Sequence, residues 1–340
     1  MIHIDNRPRA RYQAQDMCIE FRLLGKKVFQ IDSMLPIKRL TLLLVLVSLC
    51  AGGYLALRAG YHEYHDVFHP NRNPDIRIPP EFQDLDLRVA RLQAQSQPSL
   101  TAYYRKPEHG AVIVLLHGCQ GDRTQLLTEA RIFIKQGYGI LSLDLPGHGS
   151  SGGGTAWNDT EQKAVRRALD WLQIQSGEET WTFGLFGFSM GSWSTLMAAT
   201  QDSRISAIAL TGAYGDYGQM IEYSAGKRAF LEAWPMTIVD FFAGLHYWNY
   251  RSLDLVQKLK VPLLVIAGDQ DTVVPLRMSQ ALFDAAPGPK QFLRVEGAGH
   301  GDYGKVQSKT YSQTLLKFFD AALKIQERTA HQAQSPVSLR

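Results

Sequence analysis

Only three cysteines, Cys18, Cys50 and Cys119, occur in 340 residues. Their spacing fits neither a disulfide framework nor a zinc site, and it leaves the compartment open. Excess charge of one sign is equally scarce: 36 Lys and Arg stand against 32 Asp and Glu, a formal balance of +4. The basic residues are scattered, which removes the concentrated basic face that nucleic-acid binding needs. No internal repeat is present. With 45% hydrophobic and 20% charged residues, the chain is too apolar to be disordered, and one sizeable core is expected. His62, His65 and His69 cluster in sequence, yet no acidic or cysteine partner follows at ligand spacing. Neither a metal nor a cofactor is expected.

One long stretch lacks charge altogether. Leu40 to Leu57, "LTLLLVLVSLCAGGYLAL", runs for 18 residues between Lys38–Arg39 and Arg58. As a helix it would span about 27 Å, close to the hydrocarbon thickness of a bilayer. Arg7, Arg9, Arg11, Arg22, Lys26, Lys27, Lys38 and Arg39 precede it, against four acids. That excess favours a signal anchor with residues 1–39 in the cytoplasm and the rest outside. Two other readings compete with it. One is a signal peptide read from Met34 and cut after the small residues Ala51 and Gly53, releasing a secreted protein. The other is a buried helix of the fold, although a core helix apolar on every face is unusual.

Residues 58–81, rich in Pro, His and Asn, read as a linker. From 82 to 326, short β-rich runs alternate with amphipathic stretches, which predicts a mostly parallel sheet with helices on both faces. Eight strand candidates are "LDLRVARL", "LTAYY", "AVIVLL", "YGILSLD", "TWTFGLFG", "ISAIALTG", "VPLLVIAG" and "QFLRVEG". The first two lie too close together for a crossover, so that edge is expected to be antiparallel. Helices are expected over Arg123–Gln136, Thr160–Gln175, Met190–Thr200, Leu276–Ala286 and Gln307–Ile325. The interval between the strands ending near Thr211 and starting at Val261 is too long for one crossover. A small helical cap over about 214–258 is expected there, with residues 327–340 as a tail.

The chemistry starts at "LFGFSMGSW", where Ser189 stands between Gly187 and Gly191, after a strand and before a helix. A serine on so strained a turn projects its hydroxyl only if the residues two before and two after have almost no side chain. A serine hydroxyl also needs a base held by a carboxylate. "VIAGDQDTVVP" offers Asp269 and Asp271, and "VEGAGHGDY" offers His300 among small residues. "VIVLLHGCQGDR" ends a strand with His117 and Cys119. They read as a thiol with its base, a pair of metal ligands, or a loop that uses neither side chain.

The segments "LLHGCQGD", "SLDLPGHGSSGGG", "GFSMG", "AGDQDTVVP" and "GAGHGD", in this order, resemble the α/β-hydrolase superfamily, especially its serine aminopeptidase-like, monoglyceride-lipase-like and small esterase members. The resemblance covers about Phe82 to Ile325. It implies an eight-stranded α/β-hydrolase fold and a triad of Ser189, Asp271 and His300. Gly268, Asp271, Val274 and Pro275 match the family's G-x-x-D-x-x-V-P pattern, which selects Asp271 over Asp269. It also implies an oxyanion hole made by the amides of Cys119, after His-Gly, and Met190, after the nucleophile. The Cys119 thiol would then have no catalytic part, and His117 would brace the loop. Asp144 and His148 would stabilise turns, Thr155, Trp157 and Glu161 would line a pocket rim or start a helix, and Trp193 would pack behind the nucleophile.

The expected activity is hydrolysis of a medium-chain or lipid-derived carboxylic ester. A proline-type aminopeptidase or a thioesterase uses the same triad; a peptidase would draw on Asp216, Glu222, Glu232 and Asp240 to hold an amine. A non-catalytic binding protein would usually show a broken triad. Dehalogenases and epoxide hydrolases need a carboxylate where Ser189 stands. The expected partners are a small ester or lipid substrate and a membrane, and the sequence leaves the oligomeric state open.

Overall fold

The computed structural model of the protein describes residues 20–23, 26–30, 36–68, 72–94, 97–154, 159–215 and 251–325, with positions 219, 220, 223 and 241. The chain divides into two compact units, Met1–Arg58 and Ala59–Arg340. In the first, β1 (Glu20–Leu23) and β2 (Lys26–Gln30) form an antiparallel pair, for which the sequence offered no signal. Helix α1 (Pro36–Phe68) follows. Its stretch Leu40–Arg58 is long and apolar enough to cross a membrane, and none of it is buried in the structure. Leu40, Leu44, Leu49 and Leu55 are all exposed, which removes the reading of a buried core helix. The helix runs to Phe68, into the stretch expected to be linker. No proline falls between Pro36 and Pro70, so nothing in that stretch forces the helix to stop earlier.

The second unit is built on an eight-stranded sheet. Its strands are β3 (Arg88–Ala94), β4 (Gln97–Arg105), β5 (Ala111–Leu116), β6 (Gly139–Leu143), β7 (Thr182–Phe188), β8 (Ile205–Thr211), β9 (Leu263–Gly268) and β10 (Lys290–Val295), in the spatial order β10-β9-β8-β7-β5-β6-β4-β3. β4 pairs antiparallel with both β3 and β6, and every other pairing is parallel. Eight strands and an antiparallel edge are what the sequence predicts, with boundaries shifted by a few residues.

Around the sheet stand α2 (Leu127–Ile134), α3 (Asp159–Ser176), α4 (Met190–Gln201), α5 (Ser252–Val256), α6 (Leu276–Ala285), α7 (Tyr303–Val306) and α8 (Ser308–Ala322). The side chains of β5 alternate between two cores. Val112, Val114 and Leu116 join the core that holds residues of α3 to α6, whereas Ala111, Ile113 and Leu115 join the one that holds residues of α2 and α8. A strand buried on both faces reads as a continuous apolar run, which is why "AVIVLL" was legible.

Two helices depart from expectation. α2 starts at Leu127 rather than Arg123 because Arg123 is pulled into the core: its amide donates to Asp144 Oδ1 at 2.6 Å and its guanidinium pairs with Asp144 Oδ2. The last helix is preceded by the separate turn of α7, broken from α8 at Gln307 (φ −130°, ψ 55°). The expected cap lies largely outside the described residues, as do Thr155, Trp157, Met34, the four acids at 216, 222, 232 and 240, and the tail.

Candidate active site

Ser189 ends the turn from β7 into α4 with φ 52° and ψ −117°. A non-glycine residue at positive φ is strained, and such strain persists only where the surroundings enforce it. They do so here. The Ser189 amide donates to Thr211 O at 2.8 Å. A Cβ on Gly187 would fall on the Gly191 carbonyl and Thr195 Oγ1, and one on Gly191 would fall on the Leu116 carbonyl. The two glycines therefore let α4 close onto β5 and β7, leaving the Ser189 side chain half-buried at the strand ends. Trp193 packs in the core behind it.

His300 and Asp271 come from different loops, after β10 and β9, and meet. His300 Nδ1 lies 2.8 Å from Asp271 Oδ2. Oδ1 accepts the amides of Val273 and Val274 at 2.9 and 2.7 Å. A carboxylate with this many donors is held in one orientation, fixes the proton on Nδ1 and leaves Nε2 as the basic nitrogen. Asp269 points elsewhere: it pairs with Arg294 at 2.9 Å and accepts the Gly297 amide at 2.8 Å. The Arg294 bond holds its carboxyl below the usual range.

The imidazole of His300 packs on Phe188, with ring centroids 4.8 Å apart. A Cβ on Gly212 would approach its Cε1 at 2.9 Å. His300 thus stands over Gly212, whose neighbour Thr211 holds the Ser189 amide. No hydrogen bond joins the Ser189 hydroxyl to His300 in this arrangement. Such bonds are often long before substrate binds.

The loop after β5 brings Cys119 to the same end of the sheet. Gly118 approaches Ser189 closely: a Cβ there would lie 3.2 Å from the Ser189 Cβ. The loop is tied by Gly118 N–H to Gln125 Oε1 at 2.7 Å and Gly121 N–H to Gly118 O at 3.1 Å, and Gln120 takes φ 58°. Burial pushes the Cys119 thiol up, so it stays a neutral thiol near pH 7 rather than a thiolate nucleophile. His117 is fully buried; its Nδ1 donates to Gly118 O at 2.8 Å and its Nε2 accepts the Leu145 amide at 3.0 Å. Burial lowers its pKa to about 4. It is a neutral brace between two loops.

Asp144 and His148 are likewise buried in turns. Asp144 accepts the Ser150 amide at 2.8 Å, and His148 Nδ1 donates to Pro146 O at 3.1 Å. Glu161 sits buried in the first turn of α3. Two features carried no sequence signal: the burial of Arg123 against Asp144, and Tyr303, whose hydroxyl reaches Asp271 Oδ2 at 3.5 Å. A cavity of about 260 Å³ opens beside Tyr303, with Glu129, Phe188, His300 and Tyr311 among its walls.

The sequence model of the X-Pro dipeptidyl-peptidase (S15) family matches residues 86–234. The esterase Pf2001 of Pyrococcus furiosus superposes with a TM-score of 0.63 over 76% of this chain and 98% of its own, at 19% identity. This is an α/β-hydrolase fold. The uncharacterized protein YqkD of Bacillus subtilis is 25% identical over 238 residues, 66% of this chain and 77% of its own length. The α/β-hydrolase domain-containing protein aho-3 of Caenorhabditis elegans is 21% identical over 69% of this chain and 65% of its own. In the hydrolase fold, Ser189, His300, Asp271 and Cys119 stand in loops or turns at the C-terminal ends of β7, β10, β9 and β5, and Met190 opens α4 just after Ser189.

Proposed function

We propose that this protein is a serine hydrolase that cleaves carboxylic esters through an acyl-enzyme on Ser189. The observation that carries the reading is the strained Ser189 turn, whose preceding residue Phe188 packs on a histidine already hydrogen-bonded to a buried carboxylate. In this reading Ser189 Oγ attacks the carbonyl while His300 Nε2 takes its proton. The amides of Cys119 and Met190 hold the tetrahedral oxyanion, and His300 then protonates the leaving alcohol. Water repeats the sequence on the acyl-enzyme. Asp271 orients His300 and stabilises its cationic form.

The apolar helix α1 and the aromatic residues of 214–258 favour medium-chain or lipid-derived esters. A second reading, a serine aminopeptidase, is favoured by the S15 family match; a thioesterase uses the same chemistry. The helix further supports a single-pass anchor with the hydrolase unit outside the cytoplasm, cleavage to a secreted form being the alternative.

The test is to treat the full-length protein with a fluorophosphonate probe and to assay nitrophenyl esters of rising acyl length against aminoacyl amides. Labelling of Ser189 that disappears in Ser189→Ala, together with ester turnover, is expected. Faster amide turnover moves the assignment to a peptidase, and persistent labelling of the alanine variant removes Ser189 as the nucleophile.

A further inference from the structure

We propose that Tyr303 is a positioning residue for the acid–base pair: its hydroxyl donates to the Asp271 carboxylate and so limits the basicity of His300. The proposal rests on the reading of Asp271 and His300 given above. Tyr303 opens the short helix α7, two residues after Gly301, and is 2% exposed. Its hydroxyl oxygen lies 3.5 Å from Asp271 Oδ2, the oxygen that also accepts His300 Nδ1 at 2.8 Å. A Cβ on Gly212 would come within 3.0 Å of the Tyr303 hydroxyl and 2.9 Å of His300 Cε1. The phenol and the imidazole therefore stand side by side over one point of the sheet.

The chemistry of the pair sets the direction of the bond. Burial, and then the negative charge of Asp271, push the Tyr303 phenol well above its ordinary value. It therefore keeps its proton, and an ionised carboxylate can only accept. The ring is held from behind. It packs on Tyr311 with centroids 6.2 Å apart, and the Tyr311 hydroxyl donates to Glu129 on α2 at 2.8 Å. The other charged groups around His300 are Asp302, adjacent to Tyr303, and Lys305 and Glu129, which line the same cavity. Among the described residues none of these three hydrogen-bonds to His300.

With the Tyr303 donor in place, Asp271 accepts from the Val273 and Val274 amides, His300 and Tyr303, which fills its lone-pair positions. Removing one donor leaves more negative charge for the imidazolium, so His300 should hold its proton to higher pH. The inference concerns proton affinity, and it can be read without any substrate.

The test is an NMR titration of full-length protein in detergent micelles, labelled at histidine Cε1, comparing wild type with Tyr303→Phe. Phenylalanine keeps the ring contact with Tyr311. The His300 midpoint is expected to rise by about half a pH unit or more in Tyr303→Phe, with the acid limb of fluorophosphonate labelling moving by the same amount. An unchanged or lowered midpoint in a folded variant overturns the proposal and reduces Tyr303 to a packing residue. Should Tyr303→Phe fail to fold, 3-fluorotyrosine incorporation, which acidifies the phenol and strengthens its donor, is expected to lower the His300 midpoint; no change overturns the proposal. A wild-type protein unlabelled at Ser189, together with a shifted midpoint in Tyr303→Phe, would refute the proposed function and leave this inference standing.

Discussion

Asp269 and Asp271 are two residues apart on one loop, yet the first holds Arg294 and the Gly297 amide while the second holds His300. The loop after β9 reverses between them, so adjacent carboxylates serve different partners. Only Asp271 is placed to orient the proposed base, His300.

Asp271→Asn is expected to lower kcat by about four orders of magnitude, because an amide no longer fixes the His300 tautomer or stabilises its cation. Asp269→Asn should leave kcat nearly unchanged and lower Tm slightly through the loss of the Arg294 pair. Steady-state ester hydrolysis and thermal melts on both variants check this. A large kcat loss in Asp269→Asn alone would reassign the acid.

Cys119 supplies a backbone amide in the proposed mechanism, and its half-buried thiol has no part. Cys119→Ala should therefore keep most of the activity. Cys119→Pro lacks the N–H and fixes φ, so kcat should fall roughly 100-fold or more. Melting curves and fluorophosphonate labelling on the same variants separate a lost donor from a distorted loop. An inactive, folded alanine variant would return the thiol to the mechanism.

His117 couples stability to acidity. Its pKa in the folded state is lowered to about 4 by burial, below an unfolded value of about 6.5. A depressed folded value means that the unfolded chain binds the proton first. The contribution of His117 is therefore complete above about pH 6.5 and is lost as pH falls towards 4. A shift of this size corresponds to ~3 kcal/mol. His148, whose ring centroid lies 4.8 Å away, is lowered to about 3, by burial first and then by the charge of His117; the two contributions overlap and do not add. Urea midpoints measured from pH 7.5 to 4.5 should fall in wild type, and His117→Gln should flatten that slope. A slope unchanged by the substitution would assign the acid sensitivity to other groups.

The proposed orientation of α1 rests on eight basic residues against four acidic ones before Leu40. A reporter fused after Arg340 is expected to be active only outside the cytoplasm, with the full-length chain in the membrane fraction. A soluble exported fragment beginning near Tyr54 would identify a cleaved signal instead, and a cytoplasmic reporter signal would reverse the topology.

Local physics made much of this protein readable from its sequence alone. β5 is buried on both faces, so its run "AVIVLL" is continuous and ends where the strand ends. The glycines around Ser189 are legible because a Cβ at either position has nowhere to go. The uncharged run in α1 speaks through hydropathy alone. What tertiary structure decided lies between segments far apart in the chain. The family pattern already preferred Asp271 over Asp269, but the physical reason appears only once β9 and β10 lie parallel and place His300 beside Asp271 and Arg294 beside Asp269. The late start of α2 depends on Arg123 reaching Asp144, just past the end of β6, a contact that outweighs local helix propensity. Tyr303 gave no motif, because an aromatic residue in a short helix has no periodic signal. Its contact with Asp271 spans 32 residues and exists only because the sheet brings the loops after β9 and β10 together at one edge of the site.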